Sequence, residues 1–185
     1  MSKVILTCDI TLDGLIESPV PVPYGGWLVM EGKHEDRHFG MFAEAAGMLL
    51  GRKSYEGFAA VWPDMAGDGR WADRLNPMPK YVASTTLRGP LTWNSTLIEG
   101  DTATEVRKLK AELDGDLVVS GVGSFARFLA EQGLLDEAWF WVHPTVQGPG
   151  ERPFHQGAPI GFETLDVERF DSGITLLRLR PNTAR

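Results

Sequence analysis

Residues 116–133 read DLVVSGVGSFARFLAEQG, and the fold turns on this stretch. It reads as a strand, a glycine turn and a helix. Leu117, Val118 and Val119 form a short apolar run of the kind a buried strand carries. Gly121 and Gly123 permit a tight turn and close approach of a ligand to the backbone. Ser124 offers a hydroxyl cap to a helix whose apolar residues Phe125, Phe128 and Leu129 recur at helical spacing. The first N–H groups of a helix have no partner within it, and the helix dipole adds partial positive charge there. A phosphate fits such a place, although a strand–turn–helix with two glycines also occurs as plain topology.

Two further stretches point the same way. LLGRKSY, residues 49–55, again joins a strand to a helix, and its turn carries Arg52 and Lys53 for charge and Ser54 for a hydroxyl cap. A forked guanidinium beside free helix N–H groups suits a phosphate monoester. VASTT, residues 82–86, puts hydroxyls at the carboxyl end of a strand, where ligands bind in open α/β sheets. Three strand ends with phosphate-type chemistry suggest a dinucleotide, and Arg52 suggests an extra phosphate on it.

Outward from these stretches, strands alternate with helices. Residues 3–10, 48–50, 80–84, 96–98 and 138–143 read as strands. Residues 35–46, with Phe39, Phe42 and Ala46 on one face, read as a helix. So do a segment from Asp101 or Thr102 to Leu113, with Arg107, Lys108 and Lys110 on its solvated side, and a short piece around residues 71–75. Residues 163–170 and 174–180 flank Asp171-Ser172-Gly173 as a terminal hairpin. This pattern predicts an α/β fold with a largely parallel sheet and an antiparallel edge, in one domain over residues 1–185. With 43% hydrophobic and 23% charged residues among 185, the composition is that of a globular chain. A net charge of −7 argues against a general nucleic-acid or anionic-membrane surface. Cys8 is the one cysteine and reads as a small buried side chain. No apolar run reaches membrane-spanning length, and the N-terminus lacks a signal-peptide core, so the expected location is cytoplasmic.

LLGRKSYE, PKYVASTTL and the long segment from LKAELDGDLVVSG to VQGPGERPF together resemble the dihydrofolate-reductase-like family. The resemblance is to the branch that includes the reductase domain of bacterial riboflavin biosynthesis. It covers roughly residues 3–180, including ITLDG near the N-terminus. It implies a three-layer dihydrofolate-reductase-like fold, NADPH as cofactor, a small-molecule substrate and a homodimer. By position, Gly51, Arg52 and Ser54 match the segment on the adenosine-side phosphates. Ser84 and Thr85 match the hydroxyl pair near the adenosine phosphate. Gly121, Val122, Gly123, Ser124 and Phe125 match the turn beneath the pyrophosphate, with Val122 where a further glycine or small residue is common. Pro144, Gly148 and Gly150 match a loop near the reacting end. The implied activity is hydride transfer to a C=N or C=O group of a small heterocyclic or sugar-like substrate. A folate reductase and a nucleotide-binding module without dedicated catalysis are the alternatives.

The acid is open. Glu35 or Asp36 falls near the helix acid of folate-reducing members, and an exposed helix start rich in acids is the other reading. Asp13 follows the first strand near the expected nicotinamide, or Asp13-Gly14 is only a turn. Trp27 reads as a lid over the substrate or as a packed side chain. Trp139 and Trp141 share one face of their strand, which is core or a dimer contact. His34, His38, His143 and His155 are scattered, and the His34/His38 pair lacks a third metal ligand.

Overall fold

The apolar run at residues 117–119 lies in the middle of a sheet. The computed structural model describes residues 2–16, 26–154 and 157–182. In it, β5 (Leu117–Ser120) pairs in parallel with β1 (Val4–Thr11) on one side and β2 (Gly47–Gly51) on the other. Leu49, Leu50, Leu117 and Val118 are wholly buried. Strands covered on both faces need no polar alternation, and hence MLL and LVV are continuous apolar runs.

The other strands are β3 (Lys80–Ala83), β4 (Ser95–Leu97), β6 (Glu137–His143), β7 (Gly161–Arg169) and β8 (Thr175–Asn182), and the sheet order is β4-β3-β2-β5-β1-β6-β8-β7. β4 through β6 are parallel; β8 runs antiparallel to β6 and forms a hairpin with β7. The fold is therefore α/β, with a mixed, mostly parallel sheet and a C-terminal antiparallel hairpin. Helices α1 (Gly32–Glu44), α2 (Arg52–Ala59) and α3 (Arg70–Leu75) cover one face, through Met41, Phe42, Tyr55 and Leu75. Helices α4 (Thr102–Glu112) and α5 (Ser124–Glu131) cover the other, through Ala103, Val106, Ala126 and Leu129. No helix among the described residues is long and apolar enough to cross a membrane.

Several expectations change. Helix α1 starts at Gly32, and its buried stripe is His34, His38, Met41 and Phe42, not Phe39, Phe42 and Ala46. Imidazole reads as polar in a sequence, which shifts the apparent stripe. Here hydrogen bonds hold the rings: His34 is bonded at both nitrogens, Nε2 lying 2.7 Å from the Val29 carbonyl and Nδ1 3.2 Å from Ser172 Oγ, while His38 is held at Nε2, 3.0 Å from Thr7 Oγ1. On α4, Asp101 caps the helix by accepting from the Thr104 N–H. Lys110 is not on a wet face; it is buried, with Nζ 2.5 Å from Asp136 Oδ2. Trp139 and Trp141 are buried on a strand flanked by β1 and β8, so they are core and not a surface for a second copy. Cys8 is half-buried against the α4–α5 layer.

Lys80 opens β3, and its buried ammonium donates to the carbonyls of Leu75 and Asn76 at the end of α3, 3.9 Å from the Trp93 ring centroid. Desolvation, with Arg74 nearby, pulls its pKa down to about 8. The stretch SPVPVPYGG at 18–26, whose prolines and glycines read as a loop, lies outside the described residues up to 25, as does His155.

Candidate functional site

The carboxyl ends of β2, β3 and β5 come together, and the three stretches singled out above line one cleft of about 590 Å³. Gly51, Arg52 and Ser54 line it from the first, Ser84, Thr85 and Thr86 from the second, and Gly121, Gly123, Ser124 and Phe125 from the third. Two helices, α2 and α5, begin at this cleft. Their N-cap positions are Gly51 and Gly123, and neither has a side-chain cap. Ser54 and Ser124 are thus within their helices and do not cap them. The free N–H groups of two first turns face one place, with the dipoles of both helices favouring an anion.

The glycines act on each other as well as on a ligand. A Cβ on Gly121 would lie 2.4 Å from Ser54 Oγ, and one on Gly51 would lie 3.1 Å from Phe125 Cβ. The two strand-to-helix turns interlock through these bare positions. Gly121 also has φ +118°, outside the range side chains favour. Gly123 is different: a Cβ there would meet nothing within 4 Å, so this backbone is open to the cleft. Val122 points away into the core, and its carbonyl accepts from the Phe154 N–H at 3.3 Å.

Arg52 is held across the cleft's edge, Nε donating to Glu56 Oε1 (2.7 Å) and an Nη to Thr86 Oγ1 (2.8 Å). Lys53 is exposed and makes no ion pair among the described residues. Ser84 Oγ accepts from the backbone N–H groups of Thr86 and Leu87 (3.2 and 3.0 Å), which folds the 84–87 turn. The sequence reading missed Thr102, Phe128 and Glu151, which also line the cleft. Phe128 stacks on Phe125 with ring centroids 6.4 Å apart; its helical spacing marked it only as core.

A second cavity, of about 520 Å³, adjoins this cleft. Ser120 lines the cavity and Gly121 lines the cleft, so both reach the end of β5. Thr7 and His38 also line it, with Phe42, Phe58, Trp62 and Trp71 among the apolar walls. Glu35 is there too and is not a plain solvated helix start. Its Oε1 accepts from Trp71 Nε1 (2.8 Å) and Arg70 (2.8 Å). Burial raises the Glu35 pKa, but the bonds from Arg70 and Trp71 outweigh it and leave it below the usual carboxylate value.

The other candidates lie outside both cavities. Asp13 Oδ1 accepts from Thr11 Oγ1 (2.5 Å) and the Gln147 N–H (3.3 Å), and Oδ2 accepts from the Gly148 N–H (2.8 Å). The Thr11 and Gly148 bonds hold its pKa at about 2. Asp13 therefore fastens the 145–150 loop to the end of β1, and at neutral pH it has no proton to give. In any assay of turnover between pH 5 and 8, Asp13→Asn should leave the shape of the pH profile unchanged; loss of one limb would restore it as an acid. Trp27 packs edge-on against His143 with centroids 5.0 Å apart, and its buried Nε1 has no hydrogen-bond partner among the described residues. His143 is itself buried, with Nε2 3.0 Å from Asp9 Oδ1. Pro144 is exposed beside the Gly173 turn. Among the described residues no group of three or more His, Cys, Asp or Glu could hold a metal ion.

A three-layer α/β sheet, with a cleft at its strand ends where two uncapped helix N-termini open and a second cavity beside it, defines the class. The chain belongs to the RibD C-terminal domain family, whose model matches residues 2–176. An uncharacterised protein of Bacillus subtilis, YyaP, is 27% identical over 177 residues, 93% of this chain and 91% of its own. Among solved structures, a putative riboflavin biosynthesis protein from Shewanella sp. PV-4 superposes with a TM-score of 0.74 at 18% identity, over 97% of this chain and 99% of that one. The diaminohydroxyphosphoribosylaminopyrimidine deaminase/5-amino-6-(5-phosphoribosylamino)uracil reductase of Thermotoga maritima gives 0.66 at 19% identity; this chain matches it over 98% of its own length and 57% of the other. These structural likenesses show a common fold.

Proposed function

We propose that the protein is a reductase that takes NADPH in the cleft and a small substrate in the adjoining cavity, transferring a hydride to a C=N or C=O group. The observation that carries this reading is the junction at Ser120 and Gly121, where the anion-binding cleft opens beside a cavity of substrate size. The reductase half named for the Thermotoga maritima relative fits the same reading.

The residues present fit the cofactor. Gly123 leaves backbone open for a pyrophosphate, the N-termini of α2 and α5 supply N–H groups, and Ser84 and Thr85 border the adenosine side. Arg52 and Lys53 sit where a further phosphate monoester would need cations. The nicotinamide, when bound, supplies the hydride; the chain supplies position and exclusion of water. Glu35, an ionised acceptor in the cavity, suits a substrate N–H and is the one feature that favours a folate-like heterocycle as a second reading.

Titration of the purified protein with NADPH and NADH, followed by cofactor fluorescence, tests the reading. NADPH should bind the more tightly. Arg52→Ala should weaken NADPH by about tenfold while barely changing NADH, as loss of one charge-assisted phosphate contact implies. An unchanged preference would remove Arg52 from the phosphate, and no binding of either cofactor would overturn the reductase.

A further inference from the structure

The cavity beside the cleft has the opposite electrostatic character to the cleft. Its cation is Arg70, and that guanidinium is already engaged by Glu35 and Asp36 (2.8 and 2.7 Å) and lies 4.7 Å from the Phe39 ring centroid. Two carboxylates, Glu35 and Asp68, share the lining with it. His38 adds no charge to balance them, because burial keeps its pKa below the usual imidazole value. The remaining surface is mostly aromatic rings and methionine, from Phe42, Phe58, Trp62, Trp71, Met48 and Met65. Flat rings and thioethers favour an apolar, planar guest.

Polar recognition is confined to a few atoms. Trp141 Nε1 donates to Thr7 Oγ1 at 3.0 Å, and Thr7 Oγ1 lies 3.0 Å from His38 Nε2. With its oxygen accepting from Trp141, Thr7 has one proton to place, and Nε2 is the acceptor beside it. When Thr7 donates to Nε2, the imidazole proton is on Nδ1. Nδ1 has no hydrogen-bond partner among the described residues and is not a sealed atom, and the imidazole forms part of the cavity wall. In that tautomer His38 offers one neutral N–H donor to a carbonyl or imine, and Glu35 offers an acceptor.

We propose that this cavity selects a flat, uncharged heterocycle or carbonyl compound and rejects a phosphorylated one. The inference rests on reading the cavity as the substrate site of the reductase proposed above. A phosphate monoester here would lose water and meet two lining carboxylates against a single cation, so the phosphate-bearing form of a substrate is disfavoured.

A matched pair of probes tests this: 1-naphthol and 1-naphthyl phosphate, which differ only by the phosphate. Each is titrated calorimetrically into the full-length protein, with and without saturating NADP⁺, the nucleotide keeping the ester out of the cleft. The naphthol should bind at least about tenfold more tightly than the ester. Asp68→Lys, a change on an exposed loop, should narrow that ratio to about threefold or reverse it by giving the phosphate a partner. Equal or tighter binding of the ester by the unmodified protein, binding of neither probe, or an unchanged ratio in the variant would each overturn the inference. The two readings fail separately. Tight NADPH with a preference for the ester keeps the reductase and removes the selectivity, whereas naphthol selectivity without cofactor binding does the reverse.

Discussion

Replacing Gly121 with valine is expected to abolish nucleotide binding and weaken the fold, whereas replacing Gly123 with alanine should cost only the binding. The two glycines are two residues apart in one turn, but their surroundings differ. A Cβ at Gly121 lands 2.4 Å from Ser54 Oγ, at a φ of +118° that a branched residue resists. The Ser54 hydroxyl can rotate aside, but the φ strains any residue with a Cβ, and a turn that bears or shifts to relieve it costs about 1–3 kcal/mol. That shift also misaligns the first turns of α2 and α5, which supply the anion-binding N–H groups together. At Gly123 a Cβ meets nothing within 4 Å and φ is −81°, so the fold should be unchanged to within about 0.5 kcal/mol. The methyl would instead stand where a pyrophosphate needs bare backbone, and NADPH should weaken by about tenfold or more. Thermal melting and cofactor fluorescence on the two variants separate these effects. Full NADPH affinity in Gly123→Ala would move the cofactor off this turn.

Glu137→Ala should destabilise the protein by about 1–3 kcal/mol, the usual cost of leaving a buried donor, here Trp139 Nε1, without its acceptor. Glu137 opens β6 at the end of the sheet away from the cleft and is buried, with 5% of its side chain exposed. Its carboxylate accepts from Lys3 Nζ (2.7 Å), Trp139 Nε1 (2.9 Å) and Arg178 (3.0 Å). Arg178 lies 4.9 Å from the Trp139 ring centroid, and its buried Nε has no hydrogen-bond partner among the described residues. Removing Glu137 would leave more of that guanidinium unpaired. Burial alone would raise the Glu137 pKa, but the bonds from Lys3, Trp139 and Arg178 prevail and hold it at about 2, against 4.5 when unfolded. A carboxyl lowered on folding stabilises fully above its unfolded value. That contribution fades as pH falls from about 4.5 towards 2, because the unfolded chain takes up the proton first. Denaturant unfolding should therefore show a smaller gap between parent and variant at pH 3 than at pH 7. A gap of the same size at both would mean that packing, and not charge, accounts for the loss.

What could be read from the sequence was local. The runs MLL and LVV, the glycines after them and the helical spacing of Phe125, Phe128 and Leu129 lie within one strand–turn–helix each. A pattern of that length carries its own geometry. Asp101 could be placed at a helix start for the same reason: its partner, the Thr104 N–H, is three residues away. The cleft residues were found because each sits at such a turn, and the parallel pairing of β2 with β3 and β5 then brings the three ends together.

What escaped depends on partners far along the chain. Lys110 is buried because Asp136 meets it, and His34 is buried because Ser172 closes over its ring. His38 needs Thr7 and Trp141 from two strands that only the sheet makes neighbours. Glu35 turns from a helix-start acid into a cavity residue once Arg70 and Trp71 are brought against it by α3. The sequence by itself determined the elements and the chemistry at their ends. The tertiary structure decided which polar groups are buried, which glycines interlock and where the second cavity lies, because desolvation and hydrogen-bond satisfaction depend on residues that the chain alone does not place side by side.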